Sequence, residues 1–410
     1  VNLRCVECGK VLPPEMLYEC DDCGGILEVI HPNGVETDGA LQTSMWRYSK
    51  KLPVRSPDHI VSLYEGMTPM HRALRMEQSL SGFRGIVYIK DETTNPTGSF
   101  KDRLVSVAIS RAQELGCNGI ICASSGNAGA SAAAYAAKVG LKAIIVAPSH
   151  TPIEKLTQIS GYGATVVLID GHYSHSYRFA ERLAKEFNYV NVTTTYLNPY
   201  GTDGLKTVGY ELYEQTGGEI PDYVFVPVGS GPLVKGVYQG FQEALRESGD
   251  ARKGIPKIIA VQAAGCSPIV KAFYSGDMEV TAWDQPATIA SGISDPLIGY
   301  EKDGTYTLRL IRESGGGAVS VTDHEIRNAM RILAQSEGVL AEPTGACSLA
   351  GFIKMQQNHR ISQDSKVVCM VTGHGYKDFK VYREMSPVVH QLKSPDDTES
   401  IRQLLCLSPD

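Results

Sequence analysis

From Gly85 to Tyr382 the chain repeats one pattern: a short β-branched run, a glycine-bearing turn, then a stretch of helical character. Gly119–Ala123, Lys142–Ala147, Thr165–Ile169, Tyr223–Val228, Lys257–Gln262 and Lys366–Val371 are such runs. Strands that alternate with helices return to a sheet in the same direction, so the pattern predicts an α/β fold of doubly wound parallel sheets covered by helices. At 410 residues the chain is too long for one ordinary core and long enough for two domains. Thr322-x-x-Glu325 is a capping box; it opens a scaffold helix with Ile326, Met330 and Leu333 on its apolar face and Gly338 at its close.

Charged residues make up 20% of the chain and its net charge is −6. That leaves no basic footprint for nucleic acid and no basic cluster for a lipid surface. No apolar run reaches the ~18–20 residues of a membrane span. Residues 1–8 lack a secretory apolar region, so a cytoplasmic location is expected.

Four of the ten cysteines fall in the first 23 residues, as Cys5-x-x-Cys8 and Cys20-x-x-Cys23. Glycines follow each pair and permit the tight turn that aims backbone amides at thiolates. Two such knuckles make the four-sulfur set that zinc prefers, so residues 1–30 read as a zinc-ribbon-like module with a structural site. Free thiols or two disulfides are the alternative. Cys117, Cys122, Cys266, Cys347, Cys369 and Cys406 read as inert packing. A polar connector follows the ribbon from about residue 31 to 57, and 385–410 reads as a tail.

Ligands of open α/β sheets sit beyond the carboxyl ends of the strands. Three ends here are unusual. Ser124-Ser125-Gly126-Asn127-Ala128 precedes an alanine-rich helix and suits a carboxylate, with Asn127 either bonding a ligand oxygen or capping the helix. Gly229-Ser230-Gly231-Pro232-Leu233 precedes another helix, whose dipole and glycines suit a phosphate. Thr372 offers a neutral hydroxyl after the last run; His374, between two glycines, is either a base or a backbone hydrogen-bonding partner.

Lys101 ends the turn Asn-Pro-Thr-Gly-Ser-Phe-Lys that joins a strand-like run to a helix. Desolvation or cationic neighbours make such an amine a nucleophile. A lysine, a phosphate cradle, an amide and a hydroxyl at strand ends are the parts that hold pyridoxal 5'-phosphate.

NPTGSFKDR (95–103), SSGNA (124–128) and TGHGYKD (372–378) resemble motifs of the threonine synthase family, pyridoxal-phosphate enzymes of the tryptophan-synthase-β-like class. The four-cysteine ribbon resembles a module found on some members. The resemblance runs from Cys5 to about Tyr382. It implies that Lys101 binds the cofactor as an imine and moves the substrate's protons, that Asn127 meets the ring oxygen, that Gly229 to Leu233 hold the phosphate, and that Thr372 meets the pyridine nitrogen. Ser124, Ser125 and Ala128 would bind the substrate carboxylate. The class fold implies a large domain (31–117 and 196–384) with a smaller one inserted (118–195), a site in the cleft between them, and a homodimer. The activity implied is a carbon–oxygen lyase reaction converting O-phosphohomoserine and water to threonine and phosphate.

Three places depart from the pattern: the cradle Gly-Ser-Gly-Pro-Leu is not the family's usual Gly-Asn-x-Gly-Asn form, and two others concern the substrate. Many members carry arginine where this chain has Gly201, and that arginine grips the substrate phosphate; Asn198, Thr202 and Lys206 are the nearby polar groups left to do so. Gly201 is expected to face Lys101 across the cleft. The segments 288–293 and Glu342-Pro-Thr-Gly-Ala346 look closer to serine/threonine dehydratases. The alternative reading is therefore a paralogue that performs β-elimination or β-replacement on another amino acid. A ribbon-bearing binding protein with an inactive cofactor fold is a third.

Overall fold

The computed structural model describes residues 1–31, 42–124, 126–149, 151, 153–171, 173–250, 253–385, 389, 391, 400–401 and 403. The chain opens with three short strands, β1 (Asn2–Cys5), β2 (Val11–Leu12) and β3 (Leu27–Ile30), paired antiparallel in the order β2-β1-β3. Leu3, Leu12, Leu27 and Val29 form a small core beneath this sheet, completed by the buried ring of Tyr200. The module thus shares apolar packing with the rest of the chain rather than standing on its cysteines alone.

Residues 42–57 depart from the polar connector expected. Met45 and Trp46 are fully buried. The Trp46 indole donates to Glu65 Oε1 (2.8 Å) and to Ser106 Oγ (2.9 Å). Two isolated apolar residues carry no periodicity, so their burial has no local signal.

The strand–helix alternation then unfolds as predicted. After β4 (Met70–Arg72), α1 (Leu74–Ser79), β5 (Ile86–Asp91) and α2 (Lys101–Glu114) come β6 (Gly119–Ala123), α3 (Asn127–Lys138), β7 (Lys142–Pro148), α4 (Ile153–Gly161), β8 (Thr165–Ile169), α5 (Tyr173–Phe187) and β9 (Val190–Asn191). Strands β8-β7-β6-β9 form a four-stranded, all-parallel sheet. Next are α6 (Pro199–Gly204), α7 (Lys206–Gln215), β10 (Tyr223–Pro227), α8 (Pro232–Glu247), β11 (Lys257–Ala263), α9 (Pro268–Ser275), α10 (Glu301–Glu313), β12 (Gly317–Val321), α11 (Asp323–Glu337), α12 (Pro343–Gln357) and β13 (Lys366–Val371). They complete a six-stranded sheet, β12-β11-β10-β13-β5-β4, parallel except for edge strand β4. The Thr322–Glu325 capping box and the left-handed Gly338 bound α11 as predicted. Residues 379–410 cluster as a separate unit, in which α13 (Phe379–Glu384) is the described helix; most of the predicted tail lies outside the described residues. Among the described residues no helix is long and apolar enough to cross a membrane.

Helix α2 is buried from Asp102 to Ala112, including three charged residues, Asp102, Arg103 and Arg111, that a surface helix would turn to water. Arg111 pairs with Glu114 near the end of the helix, and the other two are tied in nearer the site. Asp102 accepts from the Thr97 amide (2.7 Å), the Thr97 hydroxyl (2.7 Å) and the Ser131 hydroxyl (2.5 Å), which ties the turn before α2 to its first residues. Arg103 pairs with Glu92 (2.7 Å) and Glu211 (2.5 Å), and Glu211 also receives Lys90 (2.6 Å). Buried charges persist only when paired and hydrogen-bonded in this way.

Candidate active site

One cavity receives the carboxyl ends of β6, β10 and β13. Lys101, the first residue of α2, lines it. The loop bearing Lys101 is pinned to the end of β13, because the Phe100 amide donates to Thr372 O (3.1 Å) and the His374 amide to Gly98 O (2.9 Å). Lys101 Nζ lies 3.4 Å from Thr194 O and 4.7 Å from the Phe100 ring centre. Burial pulls its pKa down to about 8 against the weaker opposing pull of Cys122, Asp295 and Glu342. An amine so placed is a competent nucleophile near neutral pH.

The turn 229–233 also lines the cavity. Its Ser230 carbonyl accepts from the Thr307 hydroxyl (2.6 Å) and its Gly231 carbonyl from the Tyr196 hydroxyl (2.9 Å). The amides of Gly229, Ser230 and Gly231 have no acceptor among the described residues. Gly231 has φ +109°, and a Cβ there would stand 2.1 Å from Thr307 Oγ1, so glycine is required. Free amides at the N-terminus of the 16-residue α8 form an anion cradle.

Thr372 lines the cavity with a buried hydroxyl that has no hydrogen-bond partner among the described residues. Buried polar atoms are rarely left so, and a ligand atom supplies what is missing. Ser124 and Ala128 line the cavity too, whereas Ser125 lies outside the described residues. Asn127 opens α3 and donates its side-chain amide to Glu342 Oε1 at 2.6 Å. His374 does not line the cavity; its Nδ1 accepts from the Tyr376 amide at 3.1 Å, the backbone role rather than the catalytic one.

Three expectations fail on the substrate side. Gly201 is buried in α6 against α2, where a Cβ would stand 2.9 Å from Leu104 Cδ2 and 3.1 Å from Ala108 Cβ, and it does not face Lys101. Asn198 caps α6 by accepting from the Gly201 amide (2.9 Å) and donates to Asn191 O (3.0 Å), so its amide is spent on the backbone. Lys206 is fully buried between Asp203 (3.2 Å) and Glu243 (3.4 Å), ion pairs that lack hydrogen-bond geometry, and it too stands outside the cavity wall. None of residues 198–207 is among the residues that line the cavity.

Conversely, Glu342, Lys155, Lys377 and Asp295 line the cavity unforeseen. Glu342 opens the segment 342–346 noted in the sequence, and Lys377 falls within the motif 372–378, but neither was given a role there. Lys155 carried no signal. Burial pushes the Glu342 and Asp295 carboxyls up.

Away from the cavity, the sulfurs of Cys5, Cys8, Cys20 and Cys23 all lie within 4.8 Å of one another. The remaining described cysteines are packing groups: burial raises Cys122 and Cys266 to about 12. Cys406 lies outside the described residues.

A desolvated lysine, an anion cradle and an orphaned hydroxyl around one cavity suit an anionic aromatic cofactor. The chain belongs to the pyridoxal-phosphate-dependent enzyme family, whose sequence profile matches residues 61–373. Within that family it is similar to threonine synthases. It is 38% identical over 384 residues to the threonine synthase of Methanocaldococcus jannaschii, covering 92% of each chain. It is 38% identical over 389 residues to that of Methanosarcina acetivorans, again covering 92% of each. In fold it is similar to the processed form of threonine deaminase isoform 2 from Solanum lycopersicum, with TM-score 0.66 and 23% identity over 88% of this chain and 98% of that one.

Proposed function

We propose that this enzyme converts O-phosphohomoserine and water to threonine and phosphate. The observation that carries the cofactor half is the convergence of Lys101, the free amides of Gly229 to Gly231 and the unpartnered Thr372 hydroxyl on one cavity. The substrate half rests on the similarity to threonine synthases over nearly the whole chain.

Pyridoxal phosphate supplies an electron sink for negative charge on substrate carbons. The chain's residues do the rest. Lys101 attaches the cofactor and, with a pKa near 8, takes and returns protons at neutral pH. The turn from Gly229 through Ser230, Gly231 and Pro232 to Leu233 holds the cofactor's phosphate with backbone amides and the α8 dipole. Thr372 bonds the ring nitrogen as a neutral hydroxyl, and Asn127 orients the ring oxygen. Ser124, Ser125 and Ala128 bind the substrate carboxylate at the start of α3. Residues that follow strands of both sheets line the cavity, and its closure on substrate would exclude water until it is needed.

We assign the four-stranded segment 118–195 to a smaller inserted domain, and 31–117 with 196–384 to the large one. The four cysteines hold a structural zinc, since four protein thiolates leave no open position for chemistry. A cytoplasmic homodimer completes the assignment by family resemblance. The alternative, a paralogue acting on another amino acid, keeps its grounds in the arginine missing at Gly201 and in segments 288–293 and 342–346.

The test is release of phosphate from O-phosphohomoserine with threonine as product, beside serine, threonine and O-phosphoserine. Turnover of the first is expected to exceed that of the others. A cofactor-saturated enzyme inert toward it but active on serine or threonine would overturn the assignment in favour of a paralogue.

A further inference from the structure

We propose that Asp295 is a second acid–base residue of the cavity, which takes a proton from the attacking water, and that Tyr300 is the positioning residue that presents its carboxyl. The step in which Asp295 acts rests on the reaction proposed above; its place beside Lys101 does not.

Among the described residues that line the cavity, the carboxyls are Glu154, Asp295 and Glu342. Glu154 is exposed on α4. Glu342 is engaged with the Asn127 amide and feels Lys155 and Lys377. Asp295, in the loop before α10, is held differently. Its Oδ1 accepts from the Tyr300 hydroxyl (2.5 Å) and the Leu297 amide (3.2 Å), while Oδ2 has no hydrogen-bond partner among the described residues. A Cβ on Gly229 would stand 3.5 Å from that free oxygen, so Oδ2 lies beside the first residue of the anion cradle. The buried Tyr300 ring stacks on Tyr177 of α5, with 4.8 Å between centres and 17° between planes, which fixes the hydroxyl that holds Oδ1.

Several groups face Asp295. They are Lys101 from α2, Cys266 after β11, Tyr173 at the start of α5 and Asp303 on α10, besides Tyr300. Burial pushes Cys266 up to about 12 and Tyr173 and Tyr300 well above the usual phenol range, so all three are neutral at pH 7. Burial also pushes Asp303 up to about 7, but it stands outside the cavity wall and accepts from the Tyr196 amide (3.1 Å). The cation that bears on Asp295 is Lys101.

The reaction needs a second base. Until Lys101 returns the proton it takes from the α carbon, it is an ammonium with no lone pair for another. The Asp295 carboxylate accepts one proton of water as a lone pair of the water oxygen forms the new bond to the β carbon. The electron pair displaced onto the substrate is capped when Lys101 returns its proton. Asp295 then passes the water's proton to the departed phosphate, which leaves as the hydrogen phosphate dianion.

In the holoenzyme, D295N is expected to lower kcat for O-phosphohomoserine roughly 10²–10⁴-fold and to remove the acidic limb of the pH profile. Y300F keeps the ring on Tyr177 but deletes a hydrogen bond that favours the carboxylate, so that limb should move to higher pH. A role confined to packing would leave the limb in place. A readout without turnover is the capture of pyridoxal phosphate by apoenzyme. A carboxylate beside Lys101 raises the amine's pKa, so in D295N the capture rate should level off at a lower pH than in the wild type. An unchanged capture profile, or an acidic limb retained in D295N, would overturn the proposal. A wild type inert toward O-phosphohomoserine, with the capture shift intact, would instead sink the proposed reaction and keep Asp295 as the acid–base partner of Lys101.

Discussion

Asn127 and Glu342 are joined by a 2.6 Å hydrogen bond between residues 215 positions apart, which links the first residue of α3 to the residue before α12. The Glu342 amide in turn donates to Gly373 O at 2.9 Å, and a Cβ on Gly373 would stand 2.3 Å from Glu342 Oε1. Glu342 therefore holds the amide proposed to orient the cofactor and abuts the strand end that carries Thr372. On the proposed reading it is a positioning residue that would act through Asn127.

Replacing Glu342 separates its acceptor from its charge. Glu342→Ala leaves the Asn127 amide without a buried acceptor, a loss of ~1–3 kcal/mol, or about tenfold to a hundredfold in turnover. Glu342→Gln keeps an acceptor oxygen and is expected to stay close to wild type. The cofactor's visible absorbance should shift in the alanine variant alone. Identical behaviour of the two variants would rule out the positioning role.

Cofactor capture should depend on pH through Lys101. Its pKa falls from 10.5 to about 8, and the neutral amine is the reactive form. At pH 7 roughly a tenth of the molecules then carry that form, against well under a thousandth for an ordinary lysine. The rate of reconstitution of apoenzyme with pyridoxal phosphate, followed by absorbance, should therefore rise with pH up to about 8 and level off above it. A rate still climbing tenfold per unit at pH 9 would refute the lowered pKa. Lys101→Ala should show no covalent absorbance and lose turnover by roughly 10²–10⁴-fold or more.

Gly201 is a packing residue. Gly201→Ala places a methyl at 2.9–3.1 Å from Leu104 and Ala108 and should destabilise the protein by ~1–3 kcal/mol. Gly201→Arg should be worse, since it buries a charge without a partner. Neither should raise turnover of O-phosphohomoserine. A thermal melt and a steady-state assay check both, and a gain of activity in Gly201→Arg would return this position to the site.

The buried pairs of Arg103 with Glu92 and Glu211 hold α2 beneath the site. Arg103→Ala leaves two carboxylates and Lys90 in a dry core and should cost ~3–5 kcal/mol. Loss of melting temperature ahead of any change in KM would match that role; a change in KM at unaltered stability would contradict it.

The cysteine module is testable by metal analysis. One zinc per chain is expected, and chelation should lower thermal stability while leaving the cofactor's absorbance unchanged, because the four sulfurs are not among the cavity-lining residues. A metal-free protein of unchanged stability would remove the zinc.

The fold was legible because its signals are local. Strand ends at Gly119–Ala123, Thr165–Ile169 and Lys366–Val371 coincide with the runs read from sequence, and the capping box at Thr322 needs only four neighbouring residues. The same holds for Lys101, the 229–233 turn and Thr372, each of which announces itself by its immediate neighbours. Lys155 had no such signal, and the motifs that contain Glu342 and Lys377 did not single them out, since what brings them to the cavity is a contact across the fold.

Sequence alone thus determined a parallel α/β chain with a lysine and a glycine turn placed at strand ends. Tertiary structure decided which charged groups line the cavity. Adjacent positions along segment 198–207 could not reveal that Gly201 and Lys206 turn into the core, because the direction in which a short helix buries its residues is set by the helices packed against it. Here α6 lies on α2, with Gly201 in that contact and Lys206 buried beside Asp203 and Glu243, while Lys155 and Lys377 are brought to the cavity from elements 222 residues apart.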